Sequence, residues 1–146
     1  MKYVIAILLC MVVFHAKAAT RYHTSKEISC LVRNAYNEAR GEGKKGIELV
    51  TQVVLNRARI DSKGICEVIY EPGQFSWVSA PLAVSDEFNK ESKPLIVAMY
   101  TGKKRLSKKY RNIYYFHKKG LRRVWTKGLR LAIAYKSHVF YNKEGT

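Results

Sequence analysis

Two runs of helical apolar spacing meet at a pair of glycines, and that junction limits what the chain can fold into. Ile28, Leu31, Val32, Ala35 and Ala39 recur at the i, i+3, i+4 spacing of a single helix face. Thr24-Ser25-Lys26-Glu27 ahead of them has the form of a capping box, with Thr24 as N-cap and Glu27 three residues on. Gly41 and Gly43 end the run. A second helix is expected from Lys45 to Arg59, with Ile47, Val50, Val53 and Val54 inward. Its β-branched content would also suit a buried strand, but its length and the preceding glycines favour a helix. Residues 60–85 read as turns and short pieces. A third helix is expected to begin after Ser92, with Pro94 in its first turn, and to end near Gly102. Ile113 to Phe116 and His138 to Tyr141 are aromatic and β-branched, and read as either short strands or extended loops. The expected fold is mostly α with minor short strands, in one compact domain.

The glycine junction also carries charge, in Tyr36-Asn37-Glu38-Ala39-Arg40-Gly41-Glu42. At 100° per residue Glu38 falls beside Leu31 and Ala35, at the edge of the apolar stripe and at the open end of the helix. Burial disfavours a charged carboxylate, so an acid set partly into an apolar wall stays protonated toward neutral pH. Such an acid can give a proton to a leaving oxygen. The bland alternative is a glutamate paired with Arg40 or Arg57, or one solvated at the helix end.

The N-terminus reads as an export signal over residues 1–18. Lys2 precedes an uncharged apolar run from Tyr3 to Phe14, and Ala16-Lys17-Ala18 supplies the small-x-small cleavage pattern. About a dozen apolar residues fall short of the roughly 20 of a membrane span, although an uncleaved anchor is the alternative. Residues 19–146 are then the mature domain, placed in the periplasm, in the cell envelope or outside the cell. The net charge is +16, and the signal removes only Lys2 and Lys17 from it, leaving +14. Such a charge suits a polyanion, and export favours anionic cell-envelope polymers over nucleic acid. No Asp or Glu occurs from Ser92 through Lys143, whereas Lys103 to Arg123 holds ten Lys or Arg with aromatics between them. Cys10 leaves with the signal, so Cys30 and Cys66 form either one disulfide or two buried thiols, the oxidising compartment favouring the bridge.

Metal hydrolysis finds little support, because His23, His117 and His138 have no close ligand spacing. No metal and no cofactor are expected. A cysteine nucleophile conflicts with export and the expected bridge.

The ordered series of motifs resembles the SleB-type cell-wall hydrolase family, the spore cortex-lytic enzymes. Its residues here are Asn34, Tyr36, Glu38-Ala39-Arg40-Gly41-Glu42, Gly46, Val53-Val54-Leu55-Asn56-Arg57, Ile65-Cys66, Val68-Ile69-Tyr70, Gln74-Phe75-Ser76-Trp77, Tyr114-Tyr115-Phe116-His117, Trp125 and His138-Val139-Phe140-Tyr141. The resemblance implies a lysozyme-like or lytic-transglycosylase-like domain. Its implied substrate is peptidoglycan, cut between N-acetylmuramic acid and N-acetylglucosamine. Glu38 matches the family's catalytic glutamate, while Arg40 and Glu42 support the motif. No second acid stands in an obvious partner motif, so a one-carboxylate mechanism is expected, ending in either an anhydro or a hydrolysed product. Asn56, Gln74 and Ser76 are expected to hydrogen-bond the substrate, Tyr36, Trp77 and Trp125 to offer flat faces to sugar rings, and His117 and His138 to line the cleft. Two positions depart from the pattern. Ala134-Tyr135-Lys136-Ser137 lacks the glycine usual before His138, and Val124 replaces a proline before Trp125. A monomer with no nucleic-acid partner is expected. The rival reading is a cationic envelope-binding protein with no active site.

Overall fold

A computed structural model describes residues 24–121 and 124–143; the expected signal, His23, Arg122, Arg123 and Glu144 lie outside them. The first helix, α1, covers 24–39, and α2 follows at Gly43–Ile60 after a short turn. Gly43 has φ +73°, a conformation that costs glycine nothing and lets the chain reverse within three residues. α3 is Ile65–Tyr70 and α4 is Asp86–Tyr100. The three strands are β1 (Ile113–Lys118), β2 (Leu131–Tyr135) and β3 (His138–Asn142). They form one antiparallel sheet in the order β1-β3-β2. The expected fold class, mostly helical with a small sheet, is the one observed.

α2 is the central element, packed against α3, α4 and β1. Its β-branched residues Val50, Val53 and Val54 have no exposed surface. Tertiary burial therefore outweighs their weak helix preference, which amounts to a few tenths of a kcal/mol per residue. The helix runs about a residue or two beyond the expected Lys45–Arg59 at each end.

The third helix starts earlier than expected. Ser85 caps it, its hydroxyl accepting from the Phe88 amide at 3.3 Å, and Asp86 and Glu87 occupy the first turn, where their charge suits the helix dipole. Pro94 therefore lies in the helix interior rather than in its first turn. It is exposed, as is Lys90 one turn before it, so the carbonyl that loses its amide partner faces water.

Both aromatic runs are strands. β3 alternates strictly, with His138, Phe140 and Asn142 buried. β2 was not expected. Its Leu131-Ala-Ile-Ala-Tyr sequence is edge-strand material, and its pairing with β3 is what makes it extended. Lys136 and Ser137 form the turn between them, and Lys136 adopts φ +42°, supplying the left-handed residue that the absent glycine would have supplied.

Cys30 and Cys66 are bridged, joining α1 to α3 across 36 residues. Glu27 reinforces that junction by accepting from the Ile65 amide at 3.2 Å, and ties α1 to α4 by accepting from the Tyr100 hydroxyl at 2.5 Å.

Candidate active site

Glu38 lies in the last turn of α1, half-buried, in a cavity of about 480 Å³. The walls come from the loop carrying Gln74 and Ser76, from the end of β1 (Phe116 to Lys118), from Trp125 and from His138. Among the described residues, Glu38 is the one carboxylate lining it. It makes no hydrogen bond or ion pair with any of them, so the pairing with Arg40 or Arg57 is not formed. Burial raises the pKa of its carboxyl, and the nearby Lys118 ammonium offsets only part of the rise. A carboxyl in that setting keeps its proton to higher pH than an ordinary glutamate.

Arg57, from the buried face of α2, braces the opposite wall. Its Nε donates to the Tyr114 carbonyl at 2.9 Å and its Nη1 to Gln74 Oε1 at 2.8 Å. With its oxygen engaged, Gln74 presents its amide NH₂ as the group left for a ligand. The Ser76 hydroxyl stands beside it with no partner among the described residues.

The aromatic wall is ordered ring against ring. His117 Nδ1 donates to the Lys118 carbonyl at 2.8 Å, which leaves Nε2 facing the Tyr141 hydroxyl 3.2 Å away. The same ring stands edge-on to Trp125, with centroids 5.8 Å apart. Trp125 is 48% exposed, leaving a flat apolar face open to the cavity mouth. A further cavity of about 340 Å³ continues past Trp125 toward Tyr115 and Leu129, sharing Arg57, Gln74 and Phe116 with the first. The two share one wall and together make a groove that runs past Trp125.

His138 forms the floor. It is 2% exposed and set edge-on to Phe116. Burial lowers its pKa more than the Glu42 carboxylate raises it, and Lys118 adds to the lowering, which favours the neutral ring. Its Nδ1 is 3.4 Å from the Ser137 hydroxyl and 3.8 Å from Glu42 Oε1. Glu42 lies outside the cavity and accepts both the Ser137 amide, at 3.3 Å, and the Ser137 hydroxyl. Burial works to raise the Glu42 pKa, but those hydrogen bonds, His138 and Lys136 together outweigh it and hold the carboxyl below its ordinary range.

The structure thus gathers Glu38, Gln74, Ser76, His117, Trp125 and His138 around one cavity. Three residues expected there lie in the packing instead. Asn56 is 3% exposed and donates to the Ile113 carbonyl at 2.6 Å, fixing α2 to β1. Trp77 is 8% exposed and donates to Asn34 Oδ1 at 3.0 Å. Tyr36 projects from the other side of α1 and meets Phe88 edge-on at 5.1 Å. Arg40 stays at the helix end, over the Tyr36 ring and donating to the Tyr36 and Asn37 carbonyls, as a cation at a helix C-terminus should. Arg57, Phe116 and Lys118 were not assigned to the site from sequence. The motif blocks contain the first two, but nothing local marks them as facing a cavity.

An acid set in an apolar-edged groove, with amide and hydroxyl donors on one side and exposed aromatic rings on the other, has the features of an enzyme's substrate cleft. The chain belongs to the Cell Wall Hydrolase family, whose model matches residues 41–141. The match begins three residues after Glu38. The fold is similar to that of the catalytic domain of the Bacillus cereus SleB protein, known from a crystal structure, with 21% sequence identity and a TM-score of 0.65. That likeness covers 81% of this chain and 91% of the other. No curated protein matches the sequence.

Proposed function

We propose that this cell wall hydrolase cleaves the glycan strand of peptidoglycan between N-acetylmuramic acid and N-acetylglucosamine, with Glu38 as general acid. The observation that carries this reading is the half-buried Glu38 carboxyl, unpaired and alone among carboxylates in the cavity as far as the described residues go, and with a raised pKa. Glu38 gives its proton to the glycosidic oxygen as the bond to C1 of the muramyl residue breaks, and the glucosamine hydroxyl departs. The positive charge at C1 is met by the substrate's acetamido oxygen or by the Glu38 carboxylate. Attack by the muramyl 6-hydroxyl yields a 1,6-anhydro end, and attack by water a reducing end; in either case the nucleophile's proton returns to Glu38. Gln74 and Ser76 suit the acetamido and hydroxyl groups, and Trp125 suits a sugar face.

The same reading has residues 1–18 direct export, so that residues 19–146 meet the wall, where the +14 charge draws them to anionic polymers. Zymography on wall-containing gels tests the catalytic part. Glu38→Gln should lose the clearing band while keeping its circular dichroism, and a mutant that clears like the wild type ends the proposal. Mass spectrometry of the digest names the product, the anhydro form being lighter by one water.

A further inference from the structure

The part of the acid-free basic segment from Lys104 to Arg111 lines a defined place. A cavity of about 450 Å³ opens between the C-terminal half of α2, the end of α4 and the loop that follows it. It shares no lining residue with the Glu38 cavity. Arg59, Lys104, Arg105 and Arg111 line it beside the buried Met99 and Leu106, and no carboxylate does among the described residues. Two of these cations are engaged: Lys104 with Glu48 at 3.1 Å, and Arg111, whose Nε donates to the Leu106 carbonyl at 3.1 Å. Arg59 and Arg105 have no hydrogen bond or ion pair among the described residues. A second cavity of about 480 Å³, lined by Lys108, Lys109 and Arg130, meets the first at Asn112.

Arg59 and Arg105, with no counter-charge of their own among the described residues, repel the cations beside them, and an anion bridging the two removes that cost. Arginine forks match the paired oxygens of a phosphate group better than they match a point charge. Two adjoining cavities also suit a chain of regularly spaced anions better than one small ion. The walls are not those of a nucleic-acid groove, which offers open aromatic faces for base stacking. Among the described residues Tyr100 is the one aromatic lining either cavity, and its hydroxyl is bound to Glu27; Tyr110, on the neighbouring loop, has its ring covered by Lys45 at 4.4 Å and Lys109 at 5.5 Å.

We propose that the groove around Arg59 and Arg105 is a second binding site, for a phosphodiester-bearing polymer of the cell wall, which retains the domain on its substrate. This deepens the reading above by naming what holds the enzyme to the wall. It is read by binding alone, so its failure is distinct from a failure of Glu38 as the acid.

The test is cosedimentation in the cold with purified walls that carry phosphodiester polymers, and with the same walls stripped of them by hydrofluoric acid. Arg59→Ser/Arg105→Ser is compared with Lys26→Ser/Lys90→Ser, a pair of exposed lysines outside the groove whose loss removes the same charge. The groove variant should bind about tenfold more weakly and the control within about twofold of wild type, with the wild-type advantage gone on stripped walls. Inorganic polyphosphate should compete, and orthophosphate at equal total phosphate should compete far less. Turnover of short soluble glycan fragments should be unchanged in the groove variant. Equal weakening of the two variants overturns the proposal in favour of diffuse charge. Undiminished binding to stripped walls overturns it as well, and so does an oligonucleotide that competes better than polyphosphate.

Discussion

Ser137 gives both its backbone amide and its hydroxyl to the Glu42 carboxylate, 95 residues earlier in the chain. The contact ties the turn after α1 to the turn between β2 and β3, one residue from His138. It therefore sets the cavity floor relative to Glu38, four residues before Glu42. A Cβ on Gly46 would stand 2.2 Å from Glu42 Cβ, so glycine is what lets this carboxylate fold back over α2. Helix propensity alone would make Gly46→Ala stabilising by about 1 kcal/mol. The clash should reverse the sign, with a net loss of about 1–3 kcal/mol. Thermal melts check the first statement, and a drop in turnover beyond the loss of folded protein checks that the floor has moved.

The same pair sets an acid limit on stability. Glu42 is held below its ordinary value of 4.5 in the folded protein. Its contribution is therefore present above pH 4.5 and lost as pH falls through the folded value. Asp61, depressed chiefly by the Tyr114 hydroxyl, acts in the same direction. Urea denaturation as a function of pH should show stability falling below about pH 4.5. Glu42→Gln should flatten that fall while lowering stability at neutral pH.

Glu38 has the opposite sign. Its folded pKa is raised, so the penalty for its charge is absent below 4.5 and grows as pH rises through the folded value. Glu38→Gln should therefore match the wild type in stability at low pH and equal or exceed it at neutral pH, while turnover falls by about 10²–10⁴-fold. The wild-type rate should decline on an alkaline limb set above the ordinary glutamate value, as the acid form disappears. A rate that rises through that range would contradict an acid role.

Arg57→Lys tests the brace behind Gln74. Lysine keeps the charge but cannot make both the Tyr114 and Gln74 bonds, whose loss should cost about 2 kcal/mol. Turnover should fall further than folding does, because Gln74 is freed to swing. Arg40→Lys, at the exposed helix end, serves as the comparison and should change activity little.

The bridge between Cys30 and Cys66 closes a loop of 36 residues and should contribute about 3–4 kcal/mol by constraining the unfolded chain. Cys30→Ser/Cys66→Ser, or reduction of the wild type, should lower the urea midpoint by a matching amount. Catalysis at low temperature should survive, since neither cysteine lines the cavity.

Periodicity was enough to locate α1 and α2 and to place Glu38 at the edge of a buried stripe, because helix faces are set by residues three and four apart. The chemistry of a half-buried acid followed from that local fact. Tertiary structure decided the rest. Asn56 and Gln74 are both amides within motif blocks, yet one is consumed by the Ile113 carbonyl while the other keeps its NH₂ for the groove. Nothing near either residue in sequence tells them apart, since the partner that satisfies or frees a polar group comes from distant chain. β2 is likewise a strand because β3 lies beside it, and the His138 pKa is lowered because the sheet buries it among aromatic rings. Arg59 and Arg105, far apart in sequence, line one groove only when α2 lies beside the loop after α4. Local spacing decides which face of an element is apolar. Burial, and with it protonation and the polar atoms left to meet a substrate, depends on what the fold brings against that face.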